Sequence, residues 1–559
     1  MRKNEVTMRC FADCANVFSS LAFLCYLCGH KTVRRMELPA SFIDYTRALL
    51  GDEDYAKLVA SLDSEQPVSI RLNRSKPFAF RSSGSGVPWC TSGFYLDERP
   101  TFTFDPLFHA GCYYVQEASS MFVEQALKRY VDGEAVVMLD LCAAPGGKST
   151  HVRSILPENS LLIANEVVRN RSQILAENLT KWGHPGVVVT NNEPADFTPL
   201  EDFFDVILAD VPCSGEGMFR KDAVAVSEWT AENVEICWQR QRRIISDIWP
   251  CLKPGGILIY STCTYNTAEN EENIRWIHDE LGAEVLPLDV AEDWNITGNL
   301  LPGEDFPVYR FLPHKTKGEG FFLAVLRKPD SSSGSVKVYT GSVKVYTNSL
   351  KVYTNSVNLY TNSVNLNSGF RKSQVSSSDL PGKRNDKSGG KGHRKEEKGT
   401  VAPGISKEVL SLLRTWILFP DNYEFLLNGS KAIAFPRTYL GELSVLKETL
   451  RIVQAGIEVA ELRGKDWLPS HALAVSQILA ADVFPHAEVP YEQAIAYLRK
   501  EAVTLSDAAP RGVVLLTYTD IPLGFVKNVG NRANNLYPQE WRIRSGYLPE
   551  TVRTVVSDR

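Results

Sequence analysis

The sequence predicts an α/β protein built around a mostly parallel sheet, with an α+β extension before that sheet and a β-rich region after it. Three observations lead there. Between Val136 and Ile259, five short apolar runs (VVMLDL, LLIAN, VVVT, FDVILAD and GGILIYS) alternate with helical patterns. Strands without polar alternation belong in a parallel sheet covered on both faces. A chain of 559 residues is also longer than one core accommodates, so several domains are expected. Finally, composition breaks sharply after residue 328, where repeats and charged small residues replace apolar periodicity.

Taken in order, residues 1–35 begin basic and continue into an apolar stretch, Ala15 to Cys28. That stretch mimics a signal peptide, yet it is too short to span a bilayer and no clean cleavage site follows it. Cys10, Cys14, Cys25 and Cys28 invite a zinc reading, but apolar spacers replace the polar loop a zinc site uses, and no metal is expected. The preferred reading starts the protein at Met36, with 1–35 a leader without function. Residues 36–130 mix helical and strand-like stretches. Val68 to Asn73 alternates like a strand, and Asp105 to Met121 runs from a turn into a helix. The parallel-sheet domain occupies 131–328, and Gly320 to Leu326 reads as the last strand closing that sheet.

From Ser335 to Gly369 a seven-residue unit repeats (SVKVYTG, SVKVYTN, SLKVYTN, SVNLYTN, SVNLNSG). Its Val, Tyr, Thr and Asn suit neither a helix nor a coiled-coil seam, so 329–400 is expected to be a disordered repeat and basic linker. Order resumes in 401–559 with a helix from Ser406 to Leu418. Many short strands follow, in a separate domain or a pair of small domains. The net charge of -5 is small, so a nucleic-acid surface would need local clusters of positive charge. Eleven scattered cysteines read as reduced thiols in a cytoplasm, and a monomer without membrane attachment is expected.

The first apolar strand runs into Cys142-Ala143-Ala144-Pro145-Gly146-Gly147-Lys148. A glycine turn between strand and helix lets backbone approach a ligand closely. A phosphate-cradling loop would need Gly where Cys142 stands, and no G-x-G-x-x-G is present. The second strand ends at Glu166, spaced to accept hydrogen bonds from the ribose hydroxyls of an adenosine. The third ends at Asn191-Asn192, where the amide of Asn192 could meet an adenine edge. The fourth strand ends in Asp210-Val211-Pro212-Cys213-Ser214-Gly215 and the fifth in Ser261-Thr262-Cys263-Thr264-Tyr265. Ligands lie beyond the carboxyl ends of parallel strands, so both cysteines face one crevice. A thiolate adding to carbon 6 of a cytosine turns the ring into an enamine whose carbon 5 can take a methyl group from a sulfonium donor. One Cys would attack, the other would assist release, and Asp210 would bond N3 and the exocyclic amine. Cys237 and Cys251 sit in helical patterns and are expected to be buried apolar groups.

CAAPGGK, DVPCSGEG and STCTY, with SIRLN, GCYYVQEASSM, RKD and RFLPHKTKGEGFF, together resemble the Nol/Nop/Sun family of RNA cytosine-5 methyltransferases. The resemblance covers 36–328 and, with RIVQAGIEVAELRGKDWLPSHALA and GFVKNVGNRANNLYPQEWRIRSG, much of the C-terminal region. It implies a Rossmann-like class I methyltransferase domain using S-adenosyl-L-methionine, an RNA-facing N-terminal extension and a PUA-like C-terminal module. It further implies that Cys263 is the nucleophile and Cys213 promotes release. Cofactor contacts are implied for Cys142 to Lys148, Glu166 and Asp210. Ribosomal RNA of the small subunit is the implied partner. Transfer RNA, or an assembly role in which methylation is dispensable, stand as alternatives. The family often has Asp after the third strand, where this chain offers Asn192 or Glu193. For the RNA itself, Phe219, Arg220 and Lys221 are candidate guides of an unstacked base. Lys527, Arg532, Arg542 and Arg544, interleaved with Tyr537 and Trp541, form a candidate RNA surface.

Overall fold

The computed structural model describes residues 37–76, 78, 80, 84–131, 133–330, 405–506, 508–545 and 554–555. The leader 1–35, the Met36 start and the linker from 331 onward lie outside the described residues. The extension opens with helix Ala40–Leu62, interrupted at Gly51, whose φ of 78° suits glycine alone. Phe42, Leu58 and Leu62 on this helix pack with Phe219, Trp229 and Tyr265 of the following domain.

Strands β1 (Val68–Leu72), β2 (Gly86–Val87), β3 (Cys90–Leu96) and β4 (Tyr113–Val115) form an antiparallel sheet in the order β2-β3-β1-β4. The predicted helix within 105–121 is cut short. Asp105 caps a single turn, Pro106–His109, and the chain then enters β4. Gly111 (φ 73°) makes the break, because a Cβ there would lie 2.0 Å from the carbonyl oxygen of Lys181.

The five predicted strands are present as β5 (Val137–Asp140), β6 (Leu161–Asn165), β7 (Val187–Thr190), β8 (Phe204–Asp210) and β9 (Leu252–Thr262). All five run parallel in the order β9-β8-β5-β6-β7. Successive side chains enter opposite layers: Met138, Leu162 and Val206 on one face, Leu139, Ile163 and Ile207 on the other. That double burial is why the runs carry no polar alternation.

Next come β10 (Glu284–Leu286), β11 (Tyr309–Phe311) and β12 (Phe321–Arg327). The run predicted to close the sheet is β12, antiparallel to β9, but it does not close it: β10 and β11 both pair with β12. At the opposite edge the finishing strand comes from the C-terminal region.

That region begins with helix Lys407–Thr415, capped by Ser406 and ending short of the predicted Leu418. Its strands are β13 (Tyr423–Asn428), β14 (Lys431–Pro436), β15 (Ile452–Ala455), β16 (Ile457–Arg463), β17 (Asp466–Pro469), β18 (His486–Glu488), β19 (Gly512–Tyr518), β20 (Ile521–Asn528) and β21 (Ala533–Asn535). They build two small sheets, β13-β14-β16-β17 and β18-β19-β20-β21. Strand β15 instead pairs antiparallel with β7, Ile452 opposite Thr190 and Ala455 opposite Val188. The C-terminal region, predicted to be separate, thus supplies one edge of the central sheet.

A second junction lies at the end of helix Arg169–Trp182. Carbonyls left over at a helix terminus need donors. The ammonium of Lys76 and the amide of Asn73 reach Lys181 and Trp182 from the N-terminal extension. Gln477 reaches Trp182 and Gly183 from the C-terminal region. Among the described residues, no helix is long and apolar enough to cross a membrane.

Candidate active site

The sheet reverses its strand order between β5 and β8, which leaves a crevice at their carboxyl ends. Asp140 and Asp210 stand on the two sides of that switch point. Ser149 donates to Asp140 Oδ2 at 2.6 Å, while Oδ1 is buried without a hydrogen-bond partner. Burial pushes the Asp140 carboxyl up to about 7, with the charge of nearby Asp210 adding to it.

The loop Cys142 to Lys148 follows β5. Gly146 takes φ 111° and starts helix Gly147–Ile155. The adjacent helix Arg169–Trp182 holds the loop: Arg171 donates to the Ala144 carbonyl and Asn178 to the Pro145 carbonyl, both at 2.8 Å. Glu166 sits at the tip of β6, accepting from the Val168 amide at 2.8 Å and pairing with Arg171 at 3.3 Å.

Asn192 departs from its predicted role. Its Nδ2 donates to Asp196 Oδ2 at 3.0 Å, and its Oδ1 accepts from the Arg451 amide at 2.9 Å. Its oxygen thus ties into the β7–β15 junction and its N–H₂ group into the local turn Pro194–Phe197. Glu193 is exposed and caps the turn Pro194–Phe197.

The two cysteines predicted to converge do so. The sulfurs of Cys213 and Cys263 are 3.1 Å apart, and the Cys263 amide donates to the Cys213 sulfur at 3.4 Å. Both are partly exposed and free, whereas Cys237 and Cys251 are buried as predicted. Contact with the Cys263 sulfur, reinforced by burial, pushes the Cys213 thiol well above its ordinary value. Beside them Lys148 donates to Asp210 Oδ2 at 2.9 Å and Ser261 to Asp210 Oδ1 at 2.7 Å. Burial alone would lower the Lys148 ammonium, but the Asp210 carboxylate outweighs it and the net shift is upward.

Sequence reasoning missed what holds the two cysteine loops together. Glu216, buried, accepts at Oε2 from the backbone amides of Tyr265 (2.7 Å) and Asn266 (3.0 Å). Glu269, also buried, accepts at Oε2 from the Ser214 amide (3.0 Å) and from Gln241 (2.7 Å). The Asn266 side chain donates to both carboxylates, at 3.1 and 2.7 Å. Burial pushes the carboxyl of Glu269 up to about 7 and raises that of Glu216. Gly217 completes the clasp: its amide donates to the Cys263 carbonyl at 2.8 Å, where a Cβ would lie 2.6 Å from that oxygen. The motif letters PCSGEG and the polar run after STCTY were the available signals, but neither has a period.

Four predicted RNA contacts are relocated. Phe219 is fully buried against Phe42, ring centroids 5.0 Å apart, and belongs to the core. Arg220 is buried against Glu319 at 3.0 Å, leaving only Lys221 exposed. Tyr537 is buried between His471 and Tyr497, and Trp541 packs on His471 and near the Lys181 ammonium, so neither ring is an exposed stacking platform. Arg532 and Arg544 are exposed, and Lys527 pairs with Asp466 at 3.5 Å.

Away from the crevice, Cys90, Glu124 and His151 converge in the core. His151 meets Glu124 at 3.0 Å, Lys128 holds the other Glu124 oxygen, and buried Arg71 adds positive charge. Burial lowers the His151 imidazole to about 4, so it is a neutral hydrogen-bond partner of Glu124, and the ion pair here is Lys128–Glu124.

Three family models match the chain in order. Residues 38–118 match the N-terminal domain of 16S rRNA methyltransferase RsmF, 126–327 match 16S rRNA methyltransferase RsmB/F, and 484–543 match the methyltransferase RsmF PUA domain. The chain is 34% identical over 314 residues to ribosomal RNA small subunit methyltransferase F of Pectobacterium atrosepticum, spanning 53% of this chain and 63% of the relative. It is 27% identical over 533 residues to the protein of that name from Erwinia tasmaniensis, spanning 92% and 98%. Among solved structures, a methyltransferase homologue from Pyrococcus horikoshii is 28% identical with a TM-score of 0.44, covering 52% of this chain and all of that one. NSun6 from the same organism, solved with SFG, is 23% identical with a TM-score of 0.44, covering 52% and 98%.

Proposed function

We propose, from the premise that this chain belongs to the 16S rRNA methyltransferase RsmB/F family, that it methylates carbon 5 of a cytosine in small-subunit ribosomal RNA through a covalent cysteine adduct, in the cytoplasm. The observation that carries this reading is the pair of sulfurs 3.1 Å apart beside the Lys148–Asp210 ion pair.

The residues at the switch point fit S-adenosyl-L-methionine. Its ammonium and sulfonium are cationic, and Asp140, Glu166 and Asp210 present carboxylates around the crevice. Asp140 Oδ1 in particular is buried without a partner. Glu166 is placed for ribose hydroxyls, and the loop Cys142 to Lys148 for the amino-acid end. When bound, the cofactor supplies an electrophilic methyl group.

The chain's own residues do the rest. Cys263 adds through sulfur to carbon 6 of the cytosine, breaking the 5,6 double bond and placing electron density on carbon 5. Asp210, oriented by Lys148 and Ser261, accepts from the exocyclic amine, and Lys148 offers a proton toward the ring. Once carbon 5 carries the methyl, its proton passes to water at the partly exposed thiols, the 5,6 bond re-forms, the ring gives back the proton lent by Lys148 and the Cys263 sulfur leaves as a thiolate. Cys213, its sulfur 3.1 Å from the departing one, lies within reach to donate its S–H to that thiolate. The family resemblance implies the division of labour: Cys263 attacks, Cys213 assists release.

Bisulfite sequencing of small-subunit ribosomal RNA from parent and gene-deletion strains tests the assignment. The deletion should lose protection at one or more cytosines, regained with the wild-type gene but not with Cys263→Ala. Identical patterns in both strains would overturn it.

A further inference from the structure

We infer that Glu216 and Glu269 are positioning residues that hold the two thiols in contact, each carboxylate capping the backbone of the loop that carries the other's cysteine. The inference rests on the covalent reading above and assigns the residues that make its release step work.

The regular register of β8 and β9 ends at Asp210 and Ser261, and past it the backbones meet only through single bonds, Val211 amide to Ser261 carbonyl and Gly217 amide to Cys263 carbonyl. Cys213 and Cys263 lie beyond that register, on loops with no ladder to fix them. Two loops leaving adjacent strands have no intrinsic reason to keep their side chains within 3.1 Å. Glu216, three residues after Cys213, reaches across to the amides of Tyr265 and Asn266, just after Cys263. Glu269, six residues after Cys263, reaches back to the amide of Ser214, just after Cys213. Asn266 donates one N–H₂ group to both carboxylates and so couples the two halves. Ser214 and Thr264 hydroxyls, 2.9 Å apart, add a bond between the residues adjoining the cysteines.

A carboxylate is suited to this role. It accepts several hydrogen bonds at once, whereas a neutral amide of the same size presents its own N–H groups to some of those donors. Neither glutamate is among the groups placed against cofactor or base, and Glu216 is wholly buried behind Tyr265 and Trp229. Their effect on the reaction therefore passes through the sulfur–sulfur distance.

Two measurements on the full-length protein test this. The first uses diamide, which takes two hydrogens from a thiol pair and leaves a disulfide. The rate at which Cys213 and Cys263 become linked, read by mass spectrometry of the joined peptides, is a ruler for their separation. Glu216→Gln is expected to slow that rate about tenfold, the effect of some 1.4 kcal/mol on a rate. The second uses small-subunit RNA from the deletion strain. Glu216→Gln is expected to lower kcat about tenfold with less change in KM and to accumulate protein–RNA adduct at steady state, while S-adenosylhomocysteine affinity stays as in wild type. A merely destabilised protein would lose affinity and adduct together. Should Glu216→Gln not fold, Asn266→Ser removes the donor shared by both carboxylates and is expected to move both readouts the same way. Linking rates and adduct levels equal to wild type in the folded variant would overturn the inference. Failure of Cys213→Ala to trap any adduct would instead overturn the covalent reading, leaving the linking rate to judge the clasp alone.

Discussion

The sulfur of Cys213 rests 3.1 Å from the sulfur of Cys263, across two loops that leave adjacent parallel strands. One thiol is thereby set against the other in a shared environment, and under the proposed roles removing either one should produce a different failure.

With labelled RNA and methyl donor, Cys213→Ala should yield a band of protein–RNA adduct that survives denaturing electrophoresis, because attack proceeds and expulsion stalls. Cys263→Ala should yield none. The reverse pattern, or no adduct from either variant, would exchange or dissolve the two roles.

Asp210 receives hydrogen bonds on both oxygens, from Lys148 and Ser261, which fixes its orientation. Replacing Asp210 by Asn should reduce kcat/KM by roughly 10²–10³, the usual consequence of losing one oriented group at a developing charge. Methyl incorporation into RNA reads this directly. A loss below threefold would remove Asp210 from the mechanism.

Gly111 separates a backbone requirement from a packing requirement. Its φ is 73°, and a Cβ would also collide with the Lys181 carbonyl; exposed Gly303 has φ 85° and open space around it. Gly303→Ala should cost about 1 kcal/mol from conformation alone, and Gly111→Ala roughly 3 kcal/mol or more. Denaturant melts giving equal losses would show that the close approach to Lys181 carries no weight.

His109 and His471 are buried near Lys181, and burial lowers both imidazoles from 6.5 to about 3. The unfolded chain then binds more protons than the folded one between those values. Their contribution is fully present above pH 6.5 and is lost progressively as pH falls toward 3. Melting temperature should drop between pH 7 and pH 5, and His471→Phe should flatten that drop. An unchanged slope in the variant would show that this histidine does not set it.

The parallel sheet was legible because strands buried on both faces must be apolar throughout, and the cysteines were legible because strand order sends their exits to one place. Other features lacked such a signal. Strand β15 is a four-residue edge element, IVQA, whose partner β7 lies more than 250 residues earlier; no local pattern encodes a pairing at that distance. Phe219 adjoins Arg220 and Lys221, so its charged neighbours suggested a surface, yet the ring turns inward onto Phe42. Tyr537 and Trp541 were misplaced for the same reason, since alternating basic and aromatic residues look alike whether the rings cover a domain junction or await a ligand. Asn192 follows β7 at the crevice edge, but a residue from the C-terminal region, Arg451, donates to its amide oxygen, and no local pattern announces that contact.

The pairing of β7 with β15 also dictates an order of birth. While the chain is being synthesised, β7 emerges with one flank unpaired and stays so until residues beyond 452 have left the ribosome. For that interval an apolar strand offers its free amides and carbonyls to any passing chain. The nascent methyltransferase domain is therefore most exposed to chaperones, and to aggregation, while the repeat-bearing stretch is still being translated.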